Sequence, residues 1–196
     1  MELILASSNQ GKLREIRAIL GERFTAICSM KEAGIDHETV EDGKTFLENA
    51  QKKAREIARI SGKAALADDS GLCVEALDGA PGIYSARFAG KHGDDDANNR
   101  LLVASLQGKE NRRAYYACAV SLCLADGTEY HAEGRLYGEI IDEARGTGGF
   151  GYDPYFYLPD FSCTAAELPP EVKNSISHRA EALRGLCEIL DKTSCK

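Results

Sequence analysis

The sequence predicts an α/β or α+β fold, in which a long mixed β-sheet is flanked by helices. Short apolar runs alternate with segments whose apolar residues recur at helical spacing, a pattern typical of mixed folds. A hairpin signal, Asp126-Gly127, separates two strand-like stretches. With 196 residues, the chain is expected to form a single domain, 1–196, with two lobes around a central cleft.

A strand, a loop and a helix are expected to open the chain. The apolar run ELILA (residues 2–6) predicts a buried strand, and the turn-prone SSNQG (residues 7–11) follows it. Apolar residues then recur at helical spacing, at Leu13, Ile16 and Leu20.

A second helix and a strand follow. Thr45 and Glu48 have the form of a capping box, which predicts a helix that Gly62 stops. The apolar residues 64–67 predict a strand, which the turn-prone Asp68-Asp69-Ser70-Gly71 is expected to end. Two adjacent acids are therefore expected at a strand end.

The second half alternates loops with strands before a final helix. Residues 80–99 predict an exposed loop that leads into a short helix at 100–106, and residues 115–125 and 129–136 predict the two strands of the hairpin. A glycine-rich loop at 145–154 precedes a further strand. Ser177 is expected to cap a C-terminal helix whose apolar residues share one face: Leu183, Leu186, Cys187 and Leu190.

The charge balance excludes some partners. Acidic residues outnumber basic ones 31 to 24, for a net charge of -7, so no nucleic acid polymer is expected to bind. No apolar stretch approaches membrane-span length, and no secretion signal precedes the first strand, so a cytoplasmic protein without a membrane contact is expected. The seven cysteines include no CxxC pair, which favours reduced thiols.

The segment SSNQGK comprises Ser7, Ser8, Asn9, Gln10, Gly11 and Lys12. It lies between a strand and a helix, where backbone N–H groups, hydroxyls and a lysine can converge on a phosphate. It lacks the spacing of a Walker P-loop, because only Gly11 precedes Lys12. The simpler alternative is that Ser8 or Asn9 only caps the helix.

Acidic residues in two segments are candidate ligands of a divalent metal. They are Glu41 and the pair Asp68-Asp69, and Mg²⁺ is usually held by one or two carboxylates plus substrate phosphates. The alternative for the pair is a solvated turn, with Ser70 and Gly71 supplying the turn chemistry. Glu48 has a structural task in the capping box.

Two further clusters can bind a flat or anionic ligand. Residues 146–153 of the glycine-rich loop include Phe150 and Tyr152, whose rings can stack on a base. The segment does not have the spacing of a dinucleotide-binding fingerprint. The alternative is a tight loop whose aromatic residues belong to the core. Lys173, His178 and Arg179 are expected with Ser177 at the start of the last helix, where basic side chains oppose the helix dipole and so favour a ligand.

Six segments in this order resemble those of the inosine triphosphate pyrophosphatase family, bacterial type. They are SSNQGK, EDGKTFLENA, ADDSGL, GAPGIYSAR, GTGGFGYDP and SHR. The resemblance covers nearly the whole chain, from Ser7 to Arg179. It implies hydrolysis of inosine, deoxyinosine and xanthosine triphosphates to the monophosphate and pyrophosphate, with Mg²⁺ as cofactor and a homodimer as the usual assembly.

The resemblance also implies roles for individual residues. Glu41 and Asp69 bind the metal, and Asp69 also accepts the proton of the attacking water. The residues that bind the substrate are Ser7, Ser8, Asn9, Gln10, Gly11, Lys12, Lys53, Ser70, Phe150, Gly151, Tyr152, Asp153, Lys173, His178 and Arg179. Donors on His178 and Arg179 suit a 6-keto purine and disfavour adenine, whose amino group leaves them unpaired.

Two other functions remain open from the sequence. The related Maf-type pyrophosphatases carry Arg where this chain has Lys12, and the SHR and FGYD segments argue against them. A nucleotide sensor without turnover needs the phosphate-binding residues but neither Asp69 nor Glu41. Pyrophosphate release in the presence of Mg²⁺ distinguishes an enzyme from a sensor.

Overall fold

The computed structural model describes residues 2–21 and 23–194. Within them, the helices are α1 (Gln10–Leu20), α2 (Phe46–Ser61), α3 (Asp95–Ser105), α4 (Pro170–Ile176) and α5 (His178–Ser194). The strands are β1 (Glu2–Leu5), β2 (Ala26–Ser29), β3 (Ala64–Val74), β4 (Arg113–Cys123), β5 (Glu129–Ile140), β6 (Phe156–Leu158) and β7 (Cys163–Thr164). Short 3₁₀ turns span Glu75–Leu77, Gly82–Arg87, Asp153–Tyr155 and Pro159–Phe161.

The strands form one seven-stranded sheet in the order β2-β1-β3-β4-β5-β6-β7. Strand β1 runs parallel to β2 and β3, whereas β6 runs antiparallel to β5 and β7. The predicted mixed sheet is therefore confirmed. The predicted hairpin joins β4 to β5 through the turn at Asp126-Gly127, where Leu124 N–H donates to the Thr128 carbonyl (2.8 Å).

The chain divides into two compact units. Unit 1 comprises Met1–Asp69, Cys118–Gly134 and His178–Lys196, and unit 2 comprises Ser70–Ala117 and Arg135–Ser177. Each unit has its own apolar core.

In unit 1, helices cover both faces of the sheet because successive strand residues point to opposite faces. Leu3 and Leu5 pack in a cluster with apolar residues of α1 and α5, including Leu13 and Leu183. The alternate residues of the same strand belong to a second cluster, with apolar residues of α2 such as Ile57. Both faces of β1 are thereby packed against helices, and the loop that follows it starts from a buried strand.

In unit 2, one core cluster joins α3 to the strands. Leu102 and Leu106 of α3 pack with Tyr116 of β4, Phe156 of β6 and the buried Tyr152. Tyr152 thus lies in the core, as the alternative for the glycine-rich loop supposed. Its hydroxyl donates to the Ser85 carbonyl (2.7 Å), which satisfies the polar end of the buried ring.

The prediction that Asp68-Asp69-Ser70-Gly71 ends a strand was wrong. Strand β3 continues through this segment to Val74, and Asp68 and Asp69 are buried within it. The acids do not need a solvated turn, because basic side chains from three other segments neutralise them. Sequence patterning did not indicate that these cations, which are distant along the chain, contact the two acids.

Two helix boundaries also differ from the predictions. Helix α3 begins at Asp95 rather than at residue 100, because Asp94 caps it by accepting the Ala97 N–H (3.1 Å) and further acids in the first turn suit the helix dipole. Lys173 lies on the separate helix α4, whose C-terminal cap residue is Ser177. The predicted cluster at the start of the C-terminal helix therefore loses Lys173.

Two expectations about the chain as a whole concern cysteines and membranes. The six described cysteines are free thiols: Cys28, Cys73, Cys118, Cys123, Cys163 and Cys187. Cys195 lies outside the described residues. Among the residues that the structure describes, no helix has both the length and the apolar character needed to cross a bilayer.

Candidate active site

The segment SSNQGK forms the turn between β1 and α1. Asn9 is the N-terminal cap of α1, and its side-chain oxygen accepts the Lys12 N–H (3.1 Å). Ser7 in turn accepts the Asn9 N–H on its hydroxyl oxygen (3.2 Å). The capping alternative is confirmed for Asn9, while Ser8 and Gln10 are exposed at the start of the helix. Capping and anion binding are compatible, because a helix N-terminus has several N–H groups without intrahelical partners.

A buried ionic network lies behind this turn. Oδ2 of Asp68 lies 2.9 Å from Nζ of Lys12 and 3.1 Å from both Nε and Nη2 of Arg179. A third hydrogen bond joins the guanidinium to Glu15. The Arg179 side chain is 1% exposed and that of Asp68 is 0% exposed. We refer to Lys12, Glu15, Asp68 and Arg179 as the buried network.

The network holds Asp68 ionised. Burial by itself raises the pKa of a carboxyl group, but the charges of Lys12 and Arg179 outweigh it and lower the pKa of Asp68 well below its usual range. The pKa of Arg179 is raised, because the adjacent carboxylates outweigh the effect of burial. Both partners are therefore charged at neutral pH.

Asp69, the next residue of β3, faces a different set of partners. Nζ of Lys53 lies 2.8 Å from Oε1 of Glu41 and 3.6 Å from Oδ1 of Asp69. Burial raises the pKa of Asp69 above its ordinary value, and the Glu41 charge adds to this effect against the opposing charges of Lys53 and Lys12. The carboxylates of Glu41 and Asp69 thus share one ammonium group. Of the two adjacent aspartates, Asp69 is the better proton acceptor, because its pKa is raised whereas that of Asp68 is lowered.

Asn49 ties this arrangement to the preceding loop. Its Nδ2 donates to Oδ2 of Asp69 (3.0 Å), and its Oδ1 accepts the N–H of Gly43 (2.8 Å). The side chain is buried, with the residue 1% exposed. Both ends of one amide therefore fix Asp69 relative to the segment that carries Glu41.

Glu41 and Asp69 are the carboxylates that fit a divalent cation. Their two side chains already converge on a single cationic group, Lys53. The described residues contain no group of three or more His, Cys, Asp or Glu side chains placed to hold a metal. A cation bound here would take its remaining oxygen ligands from substrate and water, which is the usual arrangement for Mg²⁺ with a nucleotide.

In unit 2, Asp153 organises the glycine-rich loop. Its carboxylate accepts the Phe150 N–H (2.8 Å), the Tyr116 hydroxyl (3.3 Å) and an N–H of the Lys173 ammonium (2.6 Å). The same ammonium lies 4.8 Å from the centroid of the Phe150 ring. Gly149 permits the close approach, since a Cβ there would lie 2.1 Å from Oδ2 of Asp153.

The predicted site residues thus fall into two sets, each with internal contacts. In unit 1 the structure brings together Lys12 with Arg179, and Lys53 with Glu41 and Asp69. His178 is buried beside Arg179 at the start of α5. The residues in unit 2 are Ser70, Phe150, Gly151, Tyr152, Asp153 and Lys173.

Sequence reasoning missed the partners that hold these residues. Glu15, Asn49, Tyr116, Asp95 and Asn99 each bond a predicted site residue. For Asn49 a signal existed, because a polar residue among the buried positions of an amphipathic helix needs a partner. For the others, no local pattern indicates which distant group they meet.

The profile of the Ham1 family matches residues 3–189 of this chain. The chain belongs to the Ham1 family. A dITP/XTP pyrophosphatase of Geobacter sulfurreducens is 50% identical over 183 residues, covering 92% of both sequences. The dITP/XTP pyrophosphatase of Desulforamulus reducens is 47% identical, covering 98% of this chain and 96% of that one.

Solved structures of Ham1 proteins share the fold. The Staphylococcus aureus Ham1 protein superposes with a TM-score of 0.88 at 40% identity, covering 98% of this chain and 100% of that one. A Coxiella burnetii HAM1 protein also gives a TM-score of 0.88 at 40% identity, covering 98% of this chain and 99% of that one. The mixed sheet and its flanking helices are therefore those of the Ham1 family.

Proposed function

We propose that this Ham1-family chain, acting over residues 1–196 as one catalytic domain, hydrolyses inosine, deoxyinosine and xanthosine triphosphates to the monophosphate and pyrophosphate. The observation that carries the proposal is the pairing of Asp69 and Glu41 around Lys53, beside Lys12 at the α1 N-terminus. The lysines proposed to bind phosphate and the buried carboxylate proposed to act on water all lie in unit 1. The relatives named dITP/XTP pyrophosphatase support the substrate class.

The triphosphate is assigned to the segment SSNQGK and to Lys53. Exposed N–H groups at the start of α1 and the hydroxyls of Ser7 and Ser8 can donate to phosphate oxygens. Lys12 and Lys53 add positive charge in a protein whose net charge is -7. Asp68 holds Lys12 in place, so little side-chain freedom remains to be lost on binding.

Mg²⁺ is proposed as the cofactor, with Glu41 and Asp69 as its protein ligands. When bound, it neutralises phosphate charge and lowers the pKa of water. The fit rests on the two convergent carboxylates, which share the Lys53 ammonium as a partner. The Lys53 side chain is long enough for its ammonium to leave the two carboxylates and donate to a phosphate oxygen instead.

Asp69 is proposed to orient the attacking water and to accept its proton. Its oxygens have different tasks, because Oδ2 accepts from Asn49 while Oδ1 faces Lys53. Without a metal, burial raises the pKa of Asp69 and makes it a stronger base than an exposed aspartate. Attack at the α-phosphorus then expels pyrophosphate as a single leaving group.

The base and sugar are assigned to Ser70 and the glycine-rich loop. Phe150 is half-buried and held beneath the Lys173 ammonium, so its ring is available to stack. Tyr152 contributes its backbone, because its ring is in the core. Gly151 and Asp153 complete this set together with Lys173.

His178 and Arg179 are proposed as donors to the 6-keto group of the purine. The Arg179 guanidinium already donates to Asp68 and Glu15. Its first task is therefore to hold Asp68, and contact with the purine requires exchange of an ion-pair bond.

The decisive experiment is a panel of nucleoside triphosphates incubated with the protein and Mg²⁺, with products separated by chromatography. Inosine and xanthosine triphosphates should give the monophosphate and pyrophosphate, and ATP should be hydrolysed at least about 10²-fold less efficiently. Primary release of orthophosphate contradicts the proposed cleavage. Stabilisation by inosine triphosphate without any pyrophosphate release indicates a sensor instead.

The assembly and location are proposed from the same family resemblance. We propose a homodimer that acts in the cytoplasm. Light scattering on the purified protein measures the oligomeric state, and fractionation of the native cells measures the location.

Addition of a chelator followed by a Mg²⁺ titration tests the proposed cofactor. Activity in the presence of the chelator alone contradicts it.

A further inference from the structure

Helix α3 contacts the backbone of the glycine-rich loop at one residue. The Gly151 N–H donates to Oδ2 of Asp95 (2.9 Å), and the Gly151 carbonyl accepts from Nδ2 of Asn99 (3.0 Å). Asp95 and Asn99 are four residues apart, so they share one face of the helix. Both backbone polar groups of Gly151 are thus bonded by side chains that lie about one turn apart on α3.

The contacted residue has an unusual backbone. Gly151 has φ +64°, in the left-handed region that side chains disfavour. Its neighbours Phe150 and Tyr152 are anchored by other groups, since Phe150 N–H donates to Asp153 and Tyr152 hydroxyl donates to Ser85. Gly151 lies between two anchored residues, and its own backbone groups are bonded by α3.

The helix itself is a rigid support. Its N-terminus is capped by Asp94, and Leu102 packs in the same apolar cluster as Tyr152. Asn99 is also buried, with 7% exposure, whereas Asp95 is exposed. The side chains of Asp95 and Asn99 therefore hold Gly151 in place relative to the core of unit 2.

We propose that Asp95 and Asn99 are positioning residues for purine selection, which hold Gly151 so that the loop fits a 6-keto purine. The proposal rests on the proposed function, because it assigns the base to this loop. Neither side chain is expected to touch the triphosphate. Their loss should weaken binding of the base and leave binding of the phosphates unchanged.

The test uses three variants of Asp95 and Asn99 and two matched controls. Asn99→Ala and Asp95→Ala remove the bonds to Gly151, whereas Asp95→Asn keeps an acceptor oxygen. Asn98→Ala removes an equally buried amide from the same helix, whose Oδ1 accepts the Ala89 N–H (2.8 Å) instead. Asp96→Ala removes an exposed acid that makes no side-chain hydrogen bond within the described residues.

Three quantities are measured in each variant: kcat/KM for inosine triphosphate and ATP, inhibition by inosine monophosphate, and inhibition by inorganic triphosphate. In Asn99→Ala and Asp95→Ala we expect the selectivity ratio and the affinity for the monophosphate to fall about 5- to 10-fold, the effect of one lost hydrogen bond. Inhibition by inorganic triphosphate should not change. Asp95→Asn should retain most of the selectivity.

The outcomes separate this proposal from the function. An unchanged ratio in both Ala variants, or an equal fall in Asn98→Ala, overturns the positioning role, because a general loss of stability then explains the effect. If Asn99→Ala does not fold, Asp95→Ala and Asp95→Asn provide the test, because Asp95 is exposed. An unchanged selectivity ratio in Asp95→Ala then overturns the positioning role. Failure of the wild-type protein to release pyrophosphate from any purine triphosphate instead contradicts the proposed function.

Discussion

Asp68 and Lys12 form a buried ion pair, with Oδ2 of Asp68 2.9 Å from Nζ of Lys12. The acid is on β3 and the lysine is in the first turn of α1, so the pair fixes the turn that is proposed to bind phosphate against the centre of the sheet. Arg179 donates to the same Oδ2 from α5. The charge of Lys12 is therefore positioned before any substrate arrives.

Asp68→Asn should damage both stability and substrate binding. Loss of the carboxylate leaves Arg179 buried beside too little negative charge, which destabilises a protein by about 3–5 kcal/mol when a buried pair is broken. KM for inosine triphosphate should rise at least about 10-fold, because Lys12 loses its anchor. Chemical denaturation and steady-state kinetics measure the two effects.

A matched control is Asp191→Asn, which breaks the exposed ion pair with Arg23. This pair should contribute about 0–1 kcal/mol, and kinetics should be unchanged. Equal effects of Asp68→Asn and Asp191→Asn on stability and KM would contradict the role of Asp68 in holding Lys12.

Asp69→Asn should abolish most of the turnover while nucleotide binding survives. The substitution preserves shape but removes the proton acceptor, so kcat should fall about 10²-fold or more. Single-turnover pyrophosphate release measures kcat, and nucleotide titration measures binding. Near-normal turnover at saturating Mg²⁺ would assign the base to another residue, and Asp68 is then the next to test.

Asn49→Ala should lower kcat more than it raises KM. Asp69 loses its hydrogen-bond donor, and the Gly43 N–H loses its acceptor, so the carboxylate is less well oriented toward water. We expect kcat to fall about 10-fold, with destabilisation of about 1–3 kcal/mol from the unpaired buried groups. Asn111→Ala, which removes an exposed amide bonded to Glu75, is the control and should leave kcat unchanged.

Arg179→Ala separates the two tasks proposed for this side chain. If the guanidinium contacts the purine, the ratio of kcat/KM for inosine triphosphate to that for ATP should fall about 10-fold or more. A lower rate for both substrates with an unchanged ratio would restrict Arg179 to holding Asp68 and Lys12. Arg179→Lys, which keeps the charge but loses the planar fork, should give an intermediate result.

Cys118 should resist thiol reagents in the native protein. Burial raises the pKa of Cys118 to about 12, so almost no thiolate forms at pH 8.5. Mass spectrometry after brief alkylation should find the partly exposed Cys163 and Cys187 labelled and Cys118 unlabelled, with full labelling after denaturation. Rapid native labelling of Cys118 would contradict the buried position.

The same thiol gives a signed pH dependence. The unfolded Cys118 releases its proton near the ordinary thiol pKa of about 8.5, whereas the folded one retains it to a higher pH. The unfolded state therefore binds fewer protons as the pH rises above this value, and stability falls. Cys118→Ala should make the denaturation free energy less dependent on pH between about 8.5 and 11.

The sequence by itself located several of the elements and indicated candidate site residues. Apolar periodicity and capping residues located β1, α1 and α2, because these signals depend only on neighbours along the chain. The Thr45 cap is an example, since its hydroxyl accepts the Glu48 N–H as the spacing predicts (3.1 Å). The order of the motifs also indicated the family.

Only the tertiary structure decided which partners these residues meet. Asp68 and Arg179 are 111 positions apart along the chain, and no local pattern encodes their contact. The strand through Asp68 and Asp69 illustrates the reason: adjacent acids suit a solvated turn until distant lysines and an arginine neutralise them. Burial of charge depends on what the fold brings alongside, so it follows from packing rather than from sequence spacing.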